Sequence, residues 1–212
     1  MKRLLVLVTV GVTAISLVVA GCGSSTASKT PATGASTGTA TPATTTAGLA
    51  PPKHEVTPAG DIPDNQAYVA YAPPGSGFSV KVPEGWSRSA NGGATTFTDK
   101  LNAIRMELAP SEKSASVASV TSAVLPKLAK TVPGYKPGNV SSVTRSAGSA
   151  VKVTYEATSA ADQVTGKTHR IAVERYEFSK GGKVAVLTLT GPVGADNVDP
   201  WKIVTDAFRW GA

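Results

Sequence analysis

The chain has 212 residues, of which 41% are hydrophobic, 17% charged and 6% aromatic, so one folded domain with appendages is the expected organisation. A single cysteine excludes an internal disulfide framework and any cysteine-cluster metal site, and two histidines leave histidine-based metal or triad chemistry little to work with. The formal charge of +7 comes from basic residues scattered among acidic ones, without the basic–aromatic clustering of a nucleic-acid binder, so no nucleic-acid partner is expected.

Lys2 and Arg3 precede an uncharged, mostly apolar run from Leu4 to Ala20 that ends in Val19-Ala20-Gly21-Cys22. A charged start, an apolar middle and small residues before a cut site are the parts of an export signal. Ala20 and Gly21 let the chain lie extended in a peptidase groove, and Cys22 supplies a thiolate that a membrane lipid can alkylate. The segment resembles the lipobox of bacterial lipoproteins. That resemblance implies cleavage between Gly21 and Cys22, a diacylglyceryl thioether on Cys22, and a place on the extracytoplasmic face of the cell membrane. Residues 1–21 are then the signal peptide. The run is shorter than the roughly 20 apolar residues of a membrane span, which counts against an uncleaved anchor helix. Two or more acyl chains, each methylene contributing about 0.8 kcal/mol, hold a protein on a bilayer where one chain does not.

Residues 22–60 carry that cysteine and then almost only Ser, Thr, Ala, Pro and Gly, as in Thr41-Pro42-Ala43-Thr44-Thr45-Thr46. Such a segment has too few large side chains to offset the entropy of ordering it, and it reads as a disordered tether with an r.m.s. span of about 35 Å.

Residues 61–212 read as the folded domain. Tyr68 to Ala72 predicts a short first strand. Alternation in Phe78-Ser79-Val80-Lys81-Val82 and in Ile104-Arg105-Met106-Glu107-Leu108 predicts two half-buried strands. Ser114 to Lys130 spaces Val117, Val120, Thr121, Val124, Leu125 and Leu128 as a helix lying on a sheet, with Pro126 expected to kink or end it near Leu125. A weak strand, Val140 to Arg145, turns at Ala147-Gly148 into Val151 to Tyr155. The clearest hairpin joins Tyr176–Ser179 to Val184–Thr190 through Lys180-Gly181-Gly182-Lys183. Counting from its turn pairs Phe178 with Ala185 and Tyr176 with Leu187 but sets Glu174 beside Leu189, which predicts a bulge near Glu174 or the end of the core. A last helix is expected with Asp199 as N-cap, Pro200 at its first position and Ile203, Val204, Ala207 and Phe208 on its buried face. The order argues for an α+β domain, an antiparallel sheet of about six or seven strands with two main helices packed against it.

Gly77-Phe78-Ser79 running into Pro83-Glu84-Gly85-Trp86, with this order of elements, is similar to the PsbP-like superfamily. Combined with the lipobox and the Thr/Pro tether, it resembles the LpqN/LpqT-type lipoproteins of actinobacteria. The resemblance implies a sheet flanked by helices and an accessory, non-catalytic role, and carries no functional residue over.

Little in the spacing asks for chemistry. His54 lies in the tether, and His169 opens a strand with no ligand partner at metal spacing. Ser149-Ala150-Val151-Lys152 matches a Ser-x-x-Lys string, but i and i+3 on a strand point to opposite faces, and the same geometry separates Glu174 from Glu177. An enzyme would have to gather Glu174, Glu177, His169 or Asp162 in one cleft. No catalytic residue, cofactor or metal is expected. The favoured reading is a lipid-anchored interaction protein docking to an envelope partner, with Trp86, Tyr135 and Trp210 as candidate contacts. Its alternative is a binding module for an envelope lipid or small metabolite, with an apolar pocket between sheet and helix lined by Met106, Val124, Leu128 and Tyr155.

Overall fold

Alternating side chains drive most of the folded chain into antiparallel sheet. The computed structural model describes residues 59–109 and 114–211, all within the compact unit Pro52–Ala212. Seven strands form the main sheet, in the order β3 (Ser87–Asn91), β4 (Ala94–Asp99), β5 (Asn102–Leu108), β9 (Lys183–Pro192), β8 (Arg170–Lys180), β7 (Gly148–Thr158), β6 (Lys136–Arg145). Three more make a small second sheet, β1 (Tyr68–Tyr71), β2 (Phe78–Pro83) and β10 (Arg209–Trp210), in the order β1-β2-β10. The α+β architecture is as expected, but β1 and β2 stand apart from the main sheet. Phe78, Val80 and Val82 lie on one side of β2, and that side buries against the face of the main sheet carrying Ile104, Met106, Tyr176, Phe178, Leu187 and Leu189.

The β8–β9 hairpin has the expected register, with Phe178 opposite Ala185 and Tyr176 opposite Leu187, around Gly181 and Gly182 at φ 57° and 71°. Its ladder runs unbroken past Glu174, which sits opposite Leu189. The expected bulge is absent there because polar partners take both carboxylate oxygens: Lys152 Nζ reaches one at 2.5 Å and the Tyr176 hydroxyl donates to the other at 2.7 Å. The irregularity lies instead between Pro137 and Val140 of edge strand β6, where proline has no N–H to give the ladder. The turn between β6 and β7 falls on Ser146 and Ala147, one residue earlier than expected.

The predicted first helix is one helical stretch in three pieces, α1 (Val117–Ser119), a π turn (Val120–Val124) and α2 (Leu125–Thr131). Ser116 caps it, its hydroxyl accepting from Ser119 N at 3.0 Å while Ser119 reaches back to Ser116 N at 2.9 Å. Pro126 does not end it. The widened turn, in which the Leu125 N–H bonds to the Val120 carbonyl, absorbs the proline, and the helix runs on to Thr131. Its buried side is Val120 and Val124 against Val151, Val153, Tyr155 and Val173, on the sheet face opposite Met106.

The last helix, α3 (Val198–Asp206), starts earlier than expected and is turned by one position. Asn197 takes the N-cap position but makes no side-chain cap bond, because its amide is spent elsewhere: Oδ1 accepts from Ile62 N at 2.8 Å and Nδ2 donates to Gly60 O at 2.9 Å. The buried side is therefore Pro200, Trp201, Val204 and Thr205, with Phe208 just beyond, while Ile203 is 43% exposed. Gly60, read as the end of the tether, belongs to the fold. Its carbonyl also accepts from Asn102 Nδ2 at 2.9 Å, and a Cβ there would stand 2.4 Å from Pro192 Cγ.

The Tyr68 hydroxyl is buried with no hydrogen-bond partner among the described residues, and burial pushes its pKa up to about 12. Tyr68→Phe should raise stability by about 1 kcal/mol, since a buried donor without a partner costs free energy. The folded chain holds that proton more tightly than the unfolded one, so the parent loses stability as the pH rises from 10 toward 12 and the phenylalanine variant's advantage widens there. Denaturation midpoints at neutral pH and across that alkaline range check both statements; a lower midpoint for the phenylalanine variant at neutral pH would contradict them.

Candidate functional site

Where the core face of the main sheet runs out toward β6, its side chains turn polar and meet the end of α3. Arg145 on β6 donates through Nε to Thr205 Oγ1 at 2.9 Å and through Nη2 to the Tyr176 hydroxyl at 3.0 Å, with its guanidinium 5.1 Å from the Tyr176 ring centroid. It also stands 3.7 Å from Asp206, which pairs with Lys202 one turn back on α3. Tyr176 passes the chain of contacts on to Glu174, and Lys152 completes it. Burial raises the Tyr176 pKa, and its bond to Glu174 adds to the effect. Burial alone would lower Lys152, but the adjoining Glu174 carboxylate outweighs it and the net shift is upward. Further along the same strands, bonds from Arg170 and Lys136 hold Glu156 below the usual carboxylate range.

Beside this network, α3 and the outer face of the small sheet border an open groove of about 470 Å³, lined by Ala70, Ser79, Lys81, Ile203, Ala207 and Arg209, together with Asp206 and Val80. A smaller cleft of about 140 Å³ lies near Trp86, between Asp61, Gln66, Asp99 and Lys100.

The expected site residues do not gather in one place. Val124 and Tyr155 are buried together under the helical stretch, with Leu128 and Tyr135 partly buried beside them and the Tyr135 and Tyr155 rings 5.4 Å apart. Met106 is fully buried on the opposite sheet face, so it cannot line a pocket with the other three. Trp86 and Trp210 are half-buried against the main core, Trp210 edge-on to Phe208 at 5.3 Å. Gly21 and Cys22 lie outside the described residues.

The candidate acid–base groups are likewise dispersed. Glu174 and Glu177 sit on opposite faces of β8, and Glu177 pairs with Arg175 at 2.8 Å. His169 Nδ1 lies 3.1 Å from Ser159 Oγ, but its Nε2 is buried without a partner among the described residues, so no carboxylate orients the ring. Asp162 caps its own loop, accepting from the Thr165 backbone, the Thr165 hydroxyl and the Val164 backbone, which lowers its pKa. Among the described residues no three His, Cys, Asp or Glu side chains cluster as metal ligands, and no helix is long and apolar enough to cross a membrane.

Sequence reading missed the residues that do converge. Arg145, Lys152, Tyr176 and Asp206 come from four different elements, and Ser79 meets Arg209 across 130 positions of chain, so no local pattern announces either group.

No family model matches the chain, and no curated protein sequence matches it either. Among solved structures it is similar to the cyanobacterial PsbP protein of Synechocystis sp., at 14% identity and a TM-score of 0.49, over 74% of this chain and 95% of that one. A protein of Bacteroides thetaiotaomicron is similar at 16% identity and a TM-score of 0.44, over 68% of this chain but 48% of that one, so the chain spans about half its length. LpqN of Mycobacterium tuberculosis, a protein involved in cell envelope biogenesis, is similar at 16% identity and a TM-score of 0.37, over 68% and 84% of the two chains.

Proposed function

We propose that the chain is an accessory protein of the bacterial cell envelope, held on the extracytoplasmic face of the membrane by a lipid on Cys22, and that its α+β domain binds a partner rather than catalysing a reaction. The observation that carries the reading is the position of the chain's sole cysteine, directly after Val19-Ala20-Gly21 at the close of an apolar run. The folded part supports the non-catalytic side. Three carboxylates of the main sheet are each paired with a cation, Glu174 with Lys152, Glu177 with Arg175 and Glu156 with Arg170, so none of these three stands as a free base beside a nucleophile. A pocket roofed by the helical stretch is not favoured, because the sheet itself lies between Met106 and Tyr155.

The test is the full chain in its host and its Cys22→Ala variant. The parent should partition into the detergent phase, and its mature N-terminus should begin at a lipid-modified Cys22. The variant should lose both properties. A membrane-bound chain that keeps residues 4–20 and a free thiol would replace the lipid anchor with an uncleaved helix. Crosslinking in intact envelopes then asks for one dominant protein partner joined through the face around Trp86 or Trp210; a domain that stays bare there would set the docking role aside.

A further inference from the structure

The groove beside α3 has a chemistry of its own. On the outer face of the small sheet, Ser79 of β2 stands directly opposite Arg209 of β10. Lys81 follows Ser79 on the same face, two residues along, and the residue opposite Lys81 on β1 is the small Ala70. Directly opposed Cβ atoms are about 5 Å apart and diagonal ones about 7 Å, so the hydroxyl, ammonium and guanidinium can converge on one anion. Arg209 is held in place by its Nη1, which donates to the carbonyls of Asp206 and Phe208, both at 2.6 Å, while its other side-chain nitrogens have no hydrogen-bond partner among the described residues. Asp206 lines the groove as well, but its carboxylate is paired with Lys202 and Arg145 and so does not cancel Lys81 and Arg209. Against this basic end lies an apolar side. Ile203 is 43% exposed where a large aliphatic residue would ordinarily be buried, and Ala207 and Ala70 line the same groove.

We propose that this groove binds a phosphate-bearing amphiphile, its anionic head on Ser79, Lys81 and Arg209 and its aliphatic part over Ile203 and Ala207. Three donors arriving from three positions suit a tetrahedral phosphate better than a two-oxygen carboxylate, and an arginine fork matches phosphate geometry. A volume of about 470 Å³ falls in the range of small-molecule sites, which the cleft near Trp86 does not reach. The assignment does not depend on how the chain is anchored, because every group in it belongs to the folded part.

The experiment titrates dihexanoyl phosphatidic acid, whose phosphate monoester presents three free oxygens, into the full chain held in phosphatidylcholine nanodiscs and follows the Ile203 and Ala207 methyl resonances. Saturable shifts of both are expected, with Kd about tenfold weaker in Lys81→Gln and in Arg209→Gln, the loss of one charge-assisted contact. Lys81 is exposed and unpaired among the described residues, so its variant should keep the parent's denaturation midpoint and report on binding alone. Glycerol 3-phosphate should bind more weakly and leave the methyls unmoved. Absence of saturable shifts, an equal response to dihexanoyl phosphatidylcholine, or parental affinity in the double variant would overturn the site. Equal affinity for glycerol 3-phosphate would overturn the amphiphile, and equal competition by hexaglutamate would replace it with an acidic protein segment.

Discussion

Replacing Phe208 with alanine is expected to remove about 3–5 kcal/mol from the free energy of unfolding, a large share of the roughly 5–15 kcal/mol that holds a domain together. Phe208 is fully buried in the core cluster that joins the main sheet, the small sheet and α3. Its ring stacks on Phe178 of the main sheet at 4.1 Å and 8°, lies 5.3 Å from Phe78 of the small sheet, and meets Trp210 edge-on at 5.3 Å and 88°. It comes two residues after the end of α3 and directly before β10, so the same side chain anchors both the exit from the helix and the entry to the last strand. Alanine would leave a cavity that three rigid aromatic neighbours cannot collapse into, which is why the upper part of the range applies. Phe208→Leu should cost less, about 1–2 kcal/mol, because it keeps most of the volume. Guanidinium unfolding should show a lower midpoint with an unchanged slope in both variants. A loss below about 1 kcal/mol for the alanine variant would mean that the small sheet does not depend on this contact for its place on the main one.

How much of this was legible depends on how far apart in sequence the deciding groups lie. The register of the β8–β9 hairpin was readable, because the two-glycine turn sets it and every later pair follows, although the polar partners that let the ladder run on past Glu174 were not. The strands at Phe78 and Ile104 declare themselves by alternation, yet nothing local says that β2 pairs with β10 at the far end of the chain rather than with β5. β3 and β4 went unread although Gly92 and Gly93 mark their turn. β3 is exposed throughout and shows no apolar alternation to detect. In α3 the phase was missed because Asp199 and Pro200 carry good start signals, while the true boundary is set by Asn197, whose amide ties Gly60 and Ile62 to the domain. The pocket reading failed on the same kind of information. Alternation places Ile104 and Met106 on one face of β5, but which face the helix at Val120 covers is a tertiary fact.

The second large effect concerns a charge on the other face of the sheet. Glu177 is 1% exposed on β8, between Val151 of β7 and Val186 of β9, and its one partner among the described residues is Arg175 on the same strand face, Nε to Oε1 at 2.8 Å. Oε2 has none. Arg175→Ala therefore strands a carboxylate in an apolar layer, and a loss of about 3–5 kcal/mol is expected. The pair as a whole should be worth far less than either single deletion suggests, because taking both charges out of water cost more than a single contact returns. An Arg175→Met, Glu177→Leu double variant should then unfold at or above the parent's denaturant midpoint, giving a coupling energy of several kcal/mol in the double-mutant cycle. Additive losses would show instead that Glu177 finds other partners and that the layer under Val120 and Val124 tolerates its charge. The contrast with Glu174, three residues earlier, makes the case physical: there both carboxylate oxygens are answered, by Lys152 and Tyr176, at the rim where water still reaches. One strand thus carries a satisfied carboxylate at the edge of one face and a half-satisfied one inside the other, and only the second should govern stability when its cation is removed.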